Sequence, residues 1–181
     1  MTRSKEEIRK KMLHVRRMLS EERRLEAQHQ VLQVLYPQLQ TFSWILSFAN
    51  KEEEINLWPL NSKLAKEGRL LFPRLVSPVE LLPFAVKDFE HELVMNTHWK
   101  VLEPHPDRCP LVALNQIDCV LVPGIGFDAN KQRIGYGKGH YDRFLSKLTC
   151  PFYGIGFKEQ HLAAPLPAKA HDIPLTEVYL F

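Results

Sequence analysis

At 181 residues, with 45 % apolar and 25 % charged side chains, the chain can bury a core without disulfides or metals, which excludes a wholly disordered or cysteine-stapled protein. Lysine and arginine number 24 against 21 aspartate and glutamate, a formal net charge of +3 that excludes a broadly basic nucleic-acid surface. Cys109, Cys119 and Cys150 lack CxxC spacing, the start MTRSKEEIRKKM has no apolar signal core, and no apolar run nears the ~20 residues of a bilayer span. These features lead us to expect one domain over 1–181, cytoplasmic and off the membrane.

The charge is unevenly placed: residues 1–24 hold nine basic and four acidic side chains, and the rest of the chain is slightly acidic. Ile8, Met12, Val15 and Leu19 recur at helical spacing and predict a helix over 5–19, with Lys5 and Arg9 one turn apart on one face. Ser20 reads as the cap of a second helix whose buried side is Leu25, Leu32, Leu35 and Leu39, limited by Pro37. FSWILSFA, 42–49, reads as a buried strand followed by a polar loop to Glu54. Asn56 can cap a helix from about Leu57, Gly68 ends it, and Arg69–Phe72 begins the next strand, giving a strand–helix–strand unit. The proline-rich stretch 73–110 predicts turns and short strands near 80–87 and 92–95. The apolar run 117–122 suits a central parallel strand covered on both faces. A glycine-rich loop over 123–139 leads to a helix near Asp142; a strand at 152–157, a helical turn at 158–163, a loop at 164–174 and a last strand at 178–181 complete the pattern. This order predicts an α/β protein: a three-layer αβα open sheet, mostly parallel and Rossmann-like, with ligands beyond the carboxyl ends of its strands.

Five of the eight glycines fall in VPGIGFDANKQRIGYGKGHYDRFL, Val122–Leu145. Gly135, Gly137 and Gly139, just before a predicted helix, let backbone N–H groups converge on an anion, and the helix start adds positive potential. Arg133 and Lys138 add full charges. A carboxylate at Asp142 would oppose phosphate unless a divalent cation bridged them, the usual work of Mg²⁺. Neither GxxxxGK[S/T] nor GxGxxG is present. Composition alone leaves a second possibility equally open: a tight turn whose glycines serve backbone geometry only.

The residues Pro123-Gly124, Phe127-Asp128 and Arg133-Ile-Gly-Tyr-Gly-Lys-Gly-His-Tyr-Asp142 resemble the signature of the 5-formyltetrahydrofolate cyclo-ligase family, also called 5,10-methenyltetrahydrofolate synthetase. The basic first helix, Glu54 after the first strand, Trp99 to Pro104 and the closing GIGFKEQ…LP…HD stand in family order. The resemblance implies ATP- and Mg²⁺-dependent closure of 5-formyltetrahydrofolate, with or without a polyglutamate tail, to 5,10-methenyltetrahydrofolate. ADP and phosphate would be released through a phosphorylated formyl group, and the protein would act as a monomer. It implies that ATP is held by Lys5, Arg9 and the run Arg133, Ile134, Gly135, Tyr136, Gly137, Lys138, Gly139, His140 and Tyr141. It implies folate contacts at Glu54, Trp99 and Tyr136–His140, Mg²⁺ on Asp142 and Asp172, and catalytic roles for Lys138, Arg133 and Glu54. Glu54 would either hold the pterin or manage protons. Two departures stand out: His140 replaces the first of two tyrosines, and Lys131-Gln132 replaces a glycine, with Asn130 as the nearby residue suited to a left-handed turn. A non-catalytic folate- or nucleotide-binding regulator of the same fold, or another sugar-phosphate or acyl-group enzyme, is the alternative reading.

Overall fold

The computed structural model describes residues 4–167 and 169–181. In chain order it contains α1 (Lys5–Arg17), α2 (Glu21–Gln30), α3 (Tyr36–Gln38), β1 (Ile45–Leu46), α4 (Trp58–Lys66), β2 (Leu70–Ser77) and β3 (Glu80–Ala85). There follow α5 (Phe89–Glu92), β4 (Leu93–Asn96), β5 (Val101–Pro104), β6 (Cys119–Pro123), β7 (Gly126–Asp128) and β8 (Arg133–Ile134). Last come α6 (His140–Leu145), β9 (Phe152–Gly156), β10 (His161–Leu162) and β11 (Glu177–Leu180). No helix of the described residues is long and apolar enough to cross a membrane.

The helix starts follow local chemistry. Ser4 Oγ accepts the Glu7 N–H at 3.2 Å while the Glu7 carboxylate accepts the Ser4 N–H at 2.8 Å, a reciprocal cap on α1. Ser20 caps α2 through the Arg23 N–H, as expected. Between α2 and α3 the helix widens into a π turn, Val31–Leu35. Pro37, next in line, has no N–H to offer the Gln33 carbonyl. Asn56 Oδ1 accepts the Trp58 N–H at 2.9 Å and so steadies the start of α4.

The main sheet has the order β11-β9-β6-β1-β2-β3. All of its pairs are parallel except the β2–β3 hairpin at one edge. Alternate residues serve opposite faces. Ile45, Leu70, Cys119 and Leu121 join Ala27, Val31, Leu35, Leu60 and Leu64 under α2, the π turn and α4. Leu46, Leu71, Val120 and Val122 join Phe144, Leu145 and Phe152 under α6. Helices therefore lie on both faces of the expected sheet, and each fully buried leucine in it contributes roughly 1.5–3 kcal/mol.

Several boundaries differ from the sequence pattern. The strand expected over 42–49 pairs only at Ile45–Leu46, although Ser47 and Phe48 stay buried. The Ser47 N–H still donates to the Leu71 carbonyl of β2 at 2.9 Å, and Asn61 continues from there: its Oδ1 accepts from Ser47 Oγ at 2.6 Å and its Nδ2 donates to the Phe48 carbonyl at 3.1 Å. The expected strands near 80–87 and 92–95 are β3 and β4, and β4 closes a hairpin with the unexpected β5. The expected loop 123–139 contains β7 and β8. The expected helical turn 158–163 is a 3₁₀ turn (Lys158–Gln160) leading into β10. These three short strands form a separate sheet, β10-β7-β8. α1 packs on it through Met12, which shares a small core with Ile125, Ile134 and Leu166. Strands of two or three residues are too short to display alternation, so only that cover reveals them.

Candidate active site

The carboxyl ends of β1 and β6 open into a cavity of about 540 Å³. The segment 48–54 leaves one strand, and Pro123-Gly124 leaves the other. The glycine-rich turn, the first half of α1, the β2–β3 hairpin, the Trp99 turn and the segment 169–172 form the remaining walls. Every sequence-predicted site residue lines this cavity, including Lys5, Arg9, Glu54, Trp99, Arg133–Asp142 and Asp172.

The Phe-Asp of the motif builds the turn rather than facing its contents. Phe127 is wholly buried against three glycines: a Cβ on Gly124, Gly154 or Gly156 would come within 2.5 to 2.8 Å of its ring. Asp128 Oδ1 accepts the N–H groups of Asn130 and Gln132 at 2.9 Å each, and its Oδ2 accepts Leu166 N–H at 2.7 Å. The left-handed residue of this bend is Lys131 (φ 58°), not the expected Asn130. Lys131 Nζ is held by the Thr176 carbonyl at 2.8 Å and by Glu177 at 3.0 Å, which secures a conformation lysine seldom adopts. Beyond β8, Arg9 Nε donates to the Gly135 carbonyl at 2.8 Å. Gly137, at φ +91°, lies where a Cβ would sit 3.1 Å from the Arg9 guanidinium. The expected contribution of a helix dipole is slight, because α6 has only six residues; positive charge here comes from side chains.

Six cations line the cavity (Lys5, Arg9, Lys51, Arg133, Lys138 and Lys169), together with four carboxylates (Glu54, Glu103, Asp142 and Asp172). Lys5 Nζ contacts Asp172 Oδ2 at 2.7 Å, and Arg133 Nη2 contacts Asp142 Oδ1 at 2.7 Å. Burial works against ionisation of Asp172. The hydrogen bonds from Lys5 and the Lys169 amide, with the Lys5 and His171 charges, nevertheless hold its pKa below the ordinary range. Lys138 and Lys169 are exposed, and no ion pair engages Lys138 among the described residues. No cluster of three or more metal-ligating side chains occurs among the described residues. Two carboxylates on one cavity wall still suit Mg²⁺, which commonly takes one or two protein carboxylates and fills its sphere with phosphate oxygens and water. They do not suit a cage made of protein alone.

Where the Trp99 turn meets the start of α6, the Trp99 indole meets the His140 ring edge-on at 5.7 Å, and His98 meets Trp99 at 4.5 Å. His140 Nε2 lies 3.0 Å from the Pro78 carbonyl in the β2–β3 turn. Glu54 is largely buried, its side chain 9 % exposed. Burial pushes its pKa up, against the Lys51 amide at 3.0 Å and the charges of Arg16 and Lys51. The Tyr136 hydroxyl is likewise pushed up by burial, to about 12, and Tyr141 is raised for the same reason.

Sequence reasoning passed over Arg16, Glu53, Lys51, Glu103 and Lys169. Arg16 follows Ile8 and Met12 at spacing four: the structure buries Met12, as expected, and with it Arg16, while Val15 and Leu19 are only partly buried. Lys51 Nζ sits 4.3 Å above the Tyr136 ring. Glu103, buried, accepts from Asn96 Nδ2 at 3.0 Å.

A family model described as the 5-formyltetrahydrofolate cyclo-ligase family matches residues 1–180. The 5-formyltetrahydrofolate cyclo-ligase of Escherichia coli (strain K12) is 30 % identical over 172 residues, covering 90 % of this chain and 92 % of that one. The Mus musculus protein of the same name is 27 % identical over 175 residues, covering 90 % and 86 %. Among solved structures, the NMR structure of Aquifex aeolicus 5,10-methenyltetrahydrofolate synthetase matches with a TM-score of 0.84 at 30 % identity, over 96 % of this chain and 88 % of that one.

Proposed function

Because the chain belongs to the 5-formyltetrahydrofolate cyclo-ligase family, we propose that it closes 5-formyltetrahydrofolate to 5,10-methenyltetrahydrofolate, with ATP and Mg²⁺ consumed or required as in that family, through a phosphorylated formyl oxygen. The oxygen of the formyl group carried by N5 is a poor leaving group. It attacks the γ-phosphorus of ATP, the bond from that phosphorus to the β–γ bridging oxygen breaks, and ADP departs. N10 then attacks the formyl carbon, loses its proton, and the carbon–oxygen bond breaks with phosphate as the leaving group. The methenyl bridge remains. Such a transfer calls mainly for positioning and charge neutralisation.

The observation that carries this reading is that phosphate-type and folate-type groups share one cavity. Lys138, Arg9 and the glycine turn line it together with Glu54 and Trp99. Lys138 meets the transferring phosphoryl group as an unpaired cation. Arg133 orients Asp142 and adds positive charge. Asp142 and Asp172 would hold Mg²⁺, which neutralises phosphate oxygens when bound. Lys5 and Arg9 bind the polyphosphate from α1. Glu54 holds the pterin through its carboxylate, whose pKa burial raises. The free thiols of Cys109, Cys119 and Cys150 suit a reducing compartment such as the cytoplasm, and the protein acts in this reading as a monomer of one domain.

A direct assay decides the matter. The protein is incubated with 5-formyltetrahydrofolate and with ATP, Mg²⁺, both or neither, while the near-ultraviolet absorbance of the methenyl product is followed. Product should form only when both are present. Tight binding of folate and ATP without product would identify a non-catalytic binding protein and overturn the assignment.

A further inference from the structure

The α1 face that brings Lys5 and Arg9 to the cavity also carries Arg16, whose side chain has no exposed surface. A guanidinium at that depth loses more solvation than an apolar side chain of equal volume, so stability alone does not account for it. Its contacts are specific. Nη2 donates to Glu53 Oε1 at 3.0 Å and to the Tyr136 hydroxyl at 2.8 Å. Nη1 reaches the Gly124 carbonyl at 3.4 Å and stands 3.8 Å from Glu54 Oε1. The Tyr136 hydroxyl in turn donates to Glu53 Oε1 at 3.1 Å. One rigid fork thus touches the loop after β1, the exit of β6 and the middle of the glycine-rich turn.

We propose that Arg16 is a positioning residue that bolts the loop bearing Glu54 to the turn bearing Tyr136 and Lys138, so that the folate and phosphate ends of the cavity are ordered as one unit. The inference rests on the functional reading above for what the two ends bind. Arginine suits this role, because a planar guanidinium serves several acceptors at fixed angles, whereas a lysine ammonium on a flexible stem does not. The ring of Tyr136 is also held from the opposite side by Lys51, so the phenol is gripped at its hydroxyl and its face.

The same cluster sets the charge around Glu54. The titratable or charged groups facing it are Arg16 from α1, Lys51 and Glu53 of its own loop, Tyr136 of the glycine turn and Tyr141 at the start of α6. Arg16 and Lys51 favour the carboxylate, and Glu53 opposes it. Removing the Arg16 charge therefore moves the Glu54 titration to higher pH, and removing the Glu53 charge moves it to lower pH.

The test uses the whole protein as wild type, R16K, R16Q and E53Q. In hydrogen exchange without ligand, segments 50–55 and 134–139 should lose protection together in R16K and R16Q. A loss of roughly tenfold matches one charge-assisted hydrogen bond. β6 and β9 should keep their protection. Loss in one segment alone, or in neither, overturns the proposal. In turnover, the acid limb of kcat/KM should move to higher pH in R16Q and to lower pH in E53Q, with R16K restoring the limb but not the protection. A limb that stays fixed in both R16Q and E53Q also overturns it. If R16Q does not fold, R16K and E53Q carry the same two readouts. Should the wild type form no methenyl product, the functional reading fails while the exchange experiment still decides the role of Arg16.

Discussion

The two long walls of the cavity are built on opposite principles. Along α1 and the glycine-rich turn, three of the cations are already engaged: Lys5 with Asp172, Arg133 with Asp142, Arg9 with a backbone carbonyl. Where the two hairpins meet the start of α6, Trp99, His98 and His140 touch only edge to face, with one imidazole–carbonyl contact to Pro78. The difference separates two kinds of recognition. A polyphosphate entering the first wall exchanges one set of ionic partners for another, so that wall is pre-formed. The second wall offers apolar area with little directional constraint, which suits a flat ring system and tolerates change.

The sharpest way to break the contrast is Lys138→Ala on the charged wall. It should lower kcat on the order of 10²-fold, the usual effect of deleting one transition-state charge donor. Because Lys138 is exposed, the thermal midpoint should hardly move. Turnover like the wild type would remove the lysine from the phosphate site.

Asp142→Asn comes next. It should raise the Mg²⁺ concentration needed for activity. It should also cost about 1–3 kcal/mol in denaturant unfolding, because Arg133, nearly buried, loses a charged partner. An unchanged metal titration with the stability loss intact would leave Asp142 as a brace for Arg133 and not a ligand.

Gly137→Ala tests the pre-formed turn. A Cβ at φ +91° is strained and presses on Arg9, a penalty of about 1–2 kcal/mol. It should appear as a higher KM for ATP with little change in the KM for folate. Equal changes in both would show that the turn does not favour the nucleotide.

Trp99→Phe on the aromatic wall should give the smallest activity effect, a few-fold rise in the KM for folate, since about 0.5–1.5 kcal/mol is typical of one aromatic pair. A loss rivalling that of Lys138→Ala would erase the distinction between the walls.

A stability measurement sharpens it further. The pKa of Asp172 is depressed in the folded protein. Its contribution is therefore present above the unfolded carboxylate pKa and disappears as pH falls through the lower folded value. Lys5→Met should make thermal stability less sensitive to acid in that window. An unaltered acid profile would show that the Lys5–Asp172 pair adds nothing.

Much of the framework is legible along the chain. The Ile8–Met12 spacing and Ser20 announce the first two helices, the apolar run 117–122 announces a central strand, and Gly68 marks the return to β2. The candidate site is legible in part: the glycine spacing and Asp142 are local, and Glu54 and Asp172 come from the family pattern. Arg16 escaped because periodicity reports which face a residue occupies, not what covers that face. Its partners lie 37 and 120 positions away.

The main strands and helices, the Ser20 cap and the glycine-rich turn were determined by the sequence itself, since each depends on interactions within a few residues. Tertiary structure alone decided that α1 covers the small β10-β7-β8 sheet, that Asp142 and Asp172 pair with Arg133 and Lys5, and that Arg16 is buried between two loops. Those outcomes depend on which distant segments meet and exclude water, and a charge's partners and hydration follow from that meeting rather than from its neighbours in the chain.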